Sequence, residues 1–182
     1  MRSPVYKTFD AARAFRATIP LQSGRYKLEE ARSELRRIRS DVELVAKIVL
    51  NQDAKSAKAA MVTCAPEERA TFLKRTPQHI AGLLGRKILP GIAALTADGI
   101  PKHRLRPLQR IAKARGKRIL TLADRVSIML KAGIKAEYDA MRAGGSHLYK
   151  LLDEAEGLIT MALAACPPDP SPAVTGPILR RR

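Results

Sequence analysis

The chain has no tryptophan, and all aromatics together make up only 4% of it. Few platforms are therefore available on which nucleobases could stack. Cysteine occurs twice, at Cys64 and Cys166, so a secreted domain built on disulfides is excluded. The histidines His79, His103 and His147 stand apart from one another and from both cysteines, and no zinc-ligand spacing exists. No apolar run approaches the roughly 18 residues of a membrane-spanning helix. A phosphate loop is missing too. Gly82, Gly85, Arg86 and Lys87 lack the four-residue gap between glycines and the hydroxyl residue after lysine. The two glycines are expected to be close-packing positions. No nucleophile elbow is present. The acidic pairs Glu67–Glu68 and Asp153–Glu154 fall where helices ordinarily expose acids. No cofactor and no enzymatic activity are expected.

Acid is the other scarce component. Against 34 lysines and arginines stand 17 aspartates and glutamates, a net charge of +17 in 182 residues. An apolar content of 46% still allows a genuine core. The charge is unevenly placed. Residues 101–120 carry Lys102, Arg104, Arg106, Arg110, Lys113, Arg115, Lys117 and Arg118 and no acid. Nearly half of the net charge lies in that stretch. A fold with this excess repels itself until a polyanion neutralises it, and the natural polyanions are nucleic acid and an anionic membrane surface.

Apolar periodicity predicts an all-α chain of six to eight helices in one irregular domain, about 25–165, between a basic N-terminal extension and a Pro-rich tail. Segment 1–24 holds four cations and only Asp10 as acid, with at most a short helix near Phe9–Ala17. Its composition is compatible with organellar targeting, although Asp10 interrupts it. Because the chain opens on Met1, nothing is expected to have been removed from it. Leu28, Ala31, Leu35, Ile38, Val42, Val45 and Val49 form a heptad seam on a helix over 26–52. Arg32, Arg36, Arg37 and Arg39 lie off that seam and face outward. Glu29, Glu30 and Glu34 suit the dipole near its start. The Ala-rich stretch 54–62 is a candidate continuation.

Pro66 with Glu67 and Glu68 predicts a helix start, and Thr76-Pro77 a second one. Pro90-Gly91 is expected to kink or break the chain, and Asp98-Gly99 to end the turn that follows. Pro107 predicts a helix beginning near residue 107. On it Arg106, Arg110, Lys113 and Lys117 form a basic stripe, with Leu108, Ile111 and Ala112 on the inner side. Gly116 is expected to weaken its last turn. Helices over 120–132 and 134–143 should meet at Gly133. Ser146 should cap a last helix running to about Ala165. Glu137 and Asp139 argue against a helix-turn-helix DNA reader around Gly133, because they would repel phosphate. From Cys166 onward, repeated prolines stop regular structure, and the tail ends in Arg180, Arg181 and Arg182.

These features predict a structural RNA-binding protein of a large ribonucleoprotein, with a ribosome, and within it a mitochondrial one, as the leading case. Expected partners are ribosomal RNA or other nucleic acid and the neighbouring proteins of the assembly. The alternatives are a helical accessory subunit of a membrane-bound mitochondrial complex, with its cations on anionic lipid, and a DNA-binding or phage structural protein. Outside the mitochondrion, a cytoplasmic location is expected. The nucleic-acid contacts are assigned to the cations of 102–118, to Arg36 and Arg37, and to Arg180–Arg182.

Overall fold

The structure is a computed structural model that describes residues 23–51 and 65–166, without the side chains of 49–51. Both expected arms, including the short helix near Phe9–Ala17 and the tail arginines, lie almost wholly outside the described residues, as does the Ala-rich stretch 54–62. The described residues are helical, with no strand among them. Helix α1 spans Gly24–Asn51 and α2 spans Pro66–Leu83. A π turn follows at Leu84–Ile88 and leads directly into α3, Leu89–Ala94. Helices α4 (Lys102–Ala132), α5 (Lys135–Arg142) and α6 (His147–Ala164) complete the order.

Because α2, the π turn and α3 run on without interruption, the described residues form five separate rods, one short of the lower expectation. The overcount comes from prolines read as breaks. Pro77 lies inside α2 and is buried. Thr76 is no N-cap: its hydroxyl donates back to the Phe72 carbonyl at 2.9 Å. Pro107 lies inside α4, which starts five residues earlier than expected, at Lys102 after Pro101. A proline removes one N–H and crowds the carbonyl four residues back. Near a helix start that carbonyl belongs to the first turn, where the disturbance is small. Gly116 is likewise in the middle of α4 and buried, and it ends nothing; a Cβ added there would make ordinary van der Waals contact with Leu89 and Leu84 at 3.5–3.8 Å.

The π turn has its own logic. Thr76, Ile80, Leu84, Ile88 and Ile92 are all buried, at a repeat of four. On a regular helix such a repeat drifts off one face, because the natural period is about 3.6 residues. A wider turn removes the drift and relieves the ring of Pro90 just after it. Pro90-Gly91 therefore breaks nothing. The chain leaves the helix only after Ala94, and Gly99 takes φ 83° in the turn that follows.

Helix α6 is central. It packs against α1, α4 and α2, and Leu148, Leu151, Leu152, Ala155, Leu158 and Ile159 are fully buried. The expected seam of α1 faces this core, with Leu28, Ala31, Leu35, Ile38, Val42 and Val45 all buried. Helices α1 and α4 both pack on α6 and on the 66–94 rod, with no substantial contact between them, and so occupy diagonal corners.

Three contacts between separate elements lock this arrangement. At the start of α1, a Cβ on Gly24 would lie 2.3 Å from the Gly91 carbonyl oxygen, so only glycine permits this crossing. Gly82 and Gly85 are not such positions: a Cβ on Gly82 would meet only the Arg86 guanidinium, and one on Gly85 would meet nothing within 4 Å. The first turn of α1 contains no acid. Asp98 supplies one from the turn after α3, accepting from the Ser23 hydroxyl and, at 2.9 Å, from the Arg25 N–H. Glu29, Glu30 and Glu34 lie beyond that turn, and the latter two pair with Lys87 instead. The third contact is Glu137 of α5, fully buried against the start of α6. Its carboxylate accepts from the Ser146 hydroxyl (2.6 Å), the N–H groups of His147 and Leu148 (3.2 Å each) and His147 Nδ1 (2.9 Å). Ser146 is the expected cap of α6 and accepts from the Tyr149 N–H at 3.2 Å.

Two outcomes follow for chemical denaturation. Gly24→Ala should lower stability by about 1–3 kcal/mol through overpacking, whereas Gly85→Ala should be neutral or raise it by up to about 1 kcal/mol. Equal midpoints for the two variants would show that α1 and α3 do not approach this closely. Glu137→Ala leaves buried donors without an acceptor and should cost about 3 kcal/mol or more. A loss no larger than that of the exposed control Glu67→Ala would rule out the buried cap.

Candidate nucleic-acid interface

Helix α4 divides cleanly into two faces. Leu105, Leu108, Ala112, Gly116, Ile119, Ala123, Val126 and Leu130 are buried against the core. On the opposite side Arg106, Arg110, Lys113 and Lys117 are exposed in one row, as their spacing predicts. Lys102, Arg104 and Arg118 are exposed as well, and Arg115 is half-buried at the helix edge. Ile111, expected on the inner side, is exposed: it lies on the flank shared with Arg104, Arg115 and Arg118.

The row from Arg106 to Lys117 extends about 16 Å at 1.5 Å per residue. Successive cations therefore stand about 4.5–6 Å apart along the axis, and their long side chains can reach neighbouring phosphates of one strand. None of these row cations, nor Lys102, Arg104 or Arg115, has an ion-pair or hydrogen-bond partner among the described residues. The start of α4 adds to the excess: its first turn has no acid and no side-chain cap, and Lys102 and Arg104 sit beside the positive end of the helix dipole.

Some cations elsewhere are matched across helices. Arg39 of α1 bridges to α6, pairing with Asp153 and, at 3.0 Å, with Glu156. Burial works to lower the Arg39 pKa, but these hydrogen bonds outweigh it and leave it raised. Lys87, carried by the π turn, donates to Glu34 at 2.8 Å and to Glu30 at 3.0 Å. The Lys87 ammonium holds the Glu34 carboxyl below its ordinary 4.5 against the opposing effect of burial, and His79 at 2.9 Å adds to the lowering. The same bonds raise the Lys87 pKa. These groups line a depression of about 470 Å³ between α1 and the 66–94 rod, over Phe72 and Ile38. Its Lys87, Glu34 and His79 are tied to one another by hydrogen bonds, which fits a cross-helix clasp. Burial also pushes up the Cys166 thiol, which suits a packed group and not a reactive one.

The sequence-predicted cations are therefore only partly brought together. The eight of 102–118 share α4. Arg36 and Arg37 are exposed on α1, at the diagonal corner, and do not join the row. Arg180–Arg182 lie outside the described residues. One neighbouring feature was not visible in the sequence pattern. Where α4 passes α6, a shallow depression of about 380 Å³ is lined by Lys117, Arg118, Thr121, Leu122, Arg125 and Glu154. Arg118 pairs there with Glu154 at 3.4 Å. Only α6 brings that carboxylate to the row, and no spacing within α4 announces it.

No helix among the described residues is long and apolar enough to cross a membrane. Comparison with protein-family models, curated proteins and solved structures finds no match to this chain.

Proposed function

We propose that this chain binds the phosphate backbone of nucleic acid through the exposed row of α4, as a structural RNA-binding component of a large ribonucleoprotein. The observation that carries the reading is the row itself: four exposed cations on one face, without intramolecular partners among the described residues, on a helix whose other face is fixed in the core. Each phosphate contact releases condensed counterions, so such a row binds strongly and with little sequence preference. Arginine dominates 102–118 and can fork onto phosphate oxygens. With aromatics at 4%, recognition rests on shape and backbone, not on stacked bases.

The row suits nucleic acid better than a lipid surface. An interfacial helix inserts its apolar face among the lipids. Helix α4 has buried that face, and its exposed Ile111, Leu120 and Ile128 point in three different directions. The ribosomal and mitochondrial part of the proposal rests on composition alone: basic, acid-poor residues 1–24 and the terminal Arg180–Arg182 supply further cations for neighbouring RNA.

Fluorescence anisotropy with a labelled RNA, titrated with salt, tests the proposal. Replacing Arg106, Arg110, Lys113 and Lys117 together by glutamine should abolish binding at physiological salt. It should flatten the low-salt dependence of log K on log salt by about 3. Helicity by circular dichroism should stay the same. Arg36→Gln with Arg37→Gln should change the slope by less than about 1. An unchanged slope in the fourfold variant would remove the row as the site. Retained binding to anionic vesicles with no binding to RNA would reassign the row to lipid headgroups.

A further inference from the structure

The depression between α4 and α6 has a charge and a position that the rest of the row lacks. Lys117, Arg118 and Arg125 contribute three cations to its lining and Glu154 one carboxylate. Two positive charges remain. A phosphodiester inside a strand carries one negative charge, whereas a terminal phosphate monoester carries about 1.5 to 2 at neutral pH. The monoester is the better match. Arg118 is only loosely held by Glu154, at 3.4 Å with the arginine side chain 74% exposed. A phosphate can take over that guanidinium. Arg125 is exposed and has no partner among the described residues. Thr121 lines the site, its hydroxyl donating to the Lys117 carbonyl at 3.0 Å. Leu122 gives the floor an apolar patch against which a sugar or base edge can rest. A volume of about 380 Å³ suits one nucleotide unit.

Position adds a second argument. Continued by three and then four residues past Lys117, the cationic row meets Leu120 and Asp124, both exposed. Asp124 would repel a phosphate, so a strand lying on the row cannot continue straight along α4. The depression opens beside this stop, and Lys117 belongs to both.

We infer that the depression lined by Lys117, Arg118 and Arg125 takes the terminal phosphate of a nucleic-acid strand whose backbone lies along the α4 row. The inference rests on the proposed function and adds to it a preference for strand ends. Three otherwise identical labelled RNA oligonucleotides test it: one with a 5′-phosphate, one with a 3′-phosphate and one with hydroxyls at both ends. One of the phosphorylated forms should bind the intact protein about tenfold more tightly than the hydroxyl form. Arg125→Gln should remove that preference and change the affinity for the hydroxyl form less than twofold. Glu154→Gln should enlarge the preference, because it removes the competing carboxylate. Equal affinities for all three forms would overturn the terminal-phosphate site and leave the row intact as a backbone site. Failure of all three to bind would overturn both. A preference that survives Arg125→Gln would place the terminal phosphate elsewhere.

Discussion

Carboxylates are the limiting group in this molecule, and where they are used decides where positive charge remains. With half as many acids as cations, the fold cannot neutralise every helix. Asp98 and Glu137 go to helix starts, where the dipole and unpaired amides favour an anion. Glu30, Glu34, Asp153 and Glu156 tie α1 to the π turn and to α6. Each of these placements joins two separate elements. Helix α4 receives one paired acid, Glu154, near its middle, and its N-terminal half receives none. The basic face is thus the complement of the acids that hold the bundle together.

Periodic features were legible because they depend on one helix at a time. The seam of α1, the buried face of α6 and its Ser146 cap follow from spacing alone. The row Arg106, Arg110, Lys113 and Lys117 belongs to the same class. Its alternating steps guarantee one face whatever the helix packs against. Single-residue breakers misled because their effect depends on position. Pro77, Pro90 and Pro107 are all accommodated: two in continuous helix, one just after a widened turn. A repeat of four apolar residues across 76–92 is the signal that could have announced that turn.

Features that need two segments were invisible. Gly24 looks like a loop glycine until Gly91 is placed against it. Glu137, read as an acid that would repel phosphate, is a buried cap because the start of α6 folds onto it. Arg125 stands outside the dense cationic run and gains a role only when α6 closes the depression beside it. Sequence spacing reports which residues share a face, and it does not report what faces them.

The cap on α1 also bears on the order in which the molecule can assemble. Ser23 and Arg25 are joined to a residue 73–75 positions later, and Arg39 to one more than a hundred positions later. A nascent chain that has not yet reached Asp98 holds the whole of α1 with its leading amides unmatched, and its apolar seam has no α6 to cover it. Closure of these long loops must precede the contacts that reward it, which slows folding relative to a bundle of adjacent hairpins. During that interval Arg39 has no carboxylate from α6, and the exposed seam invites association with other chains.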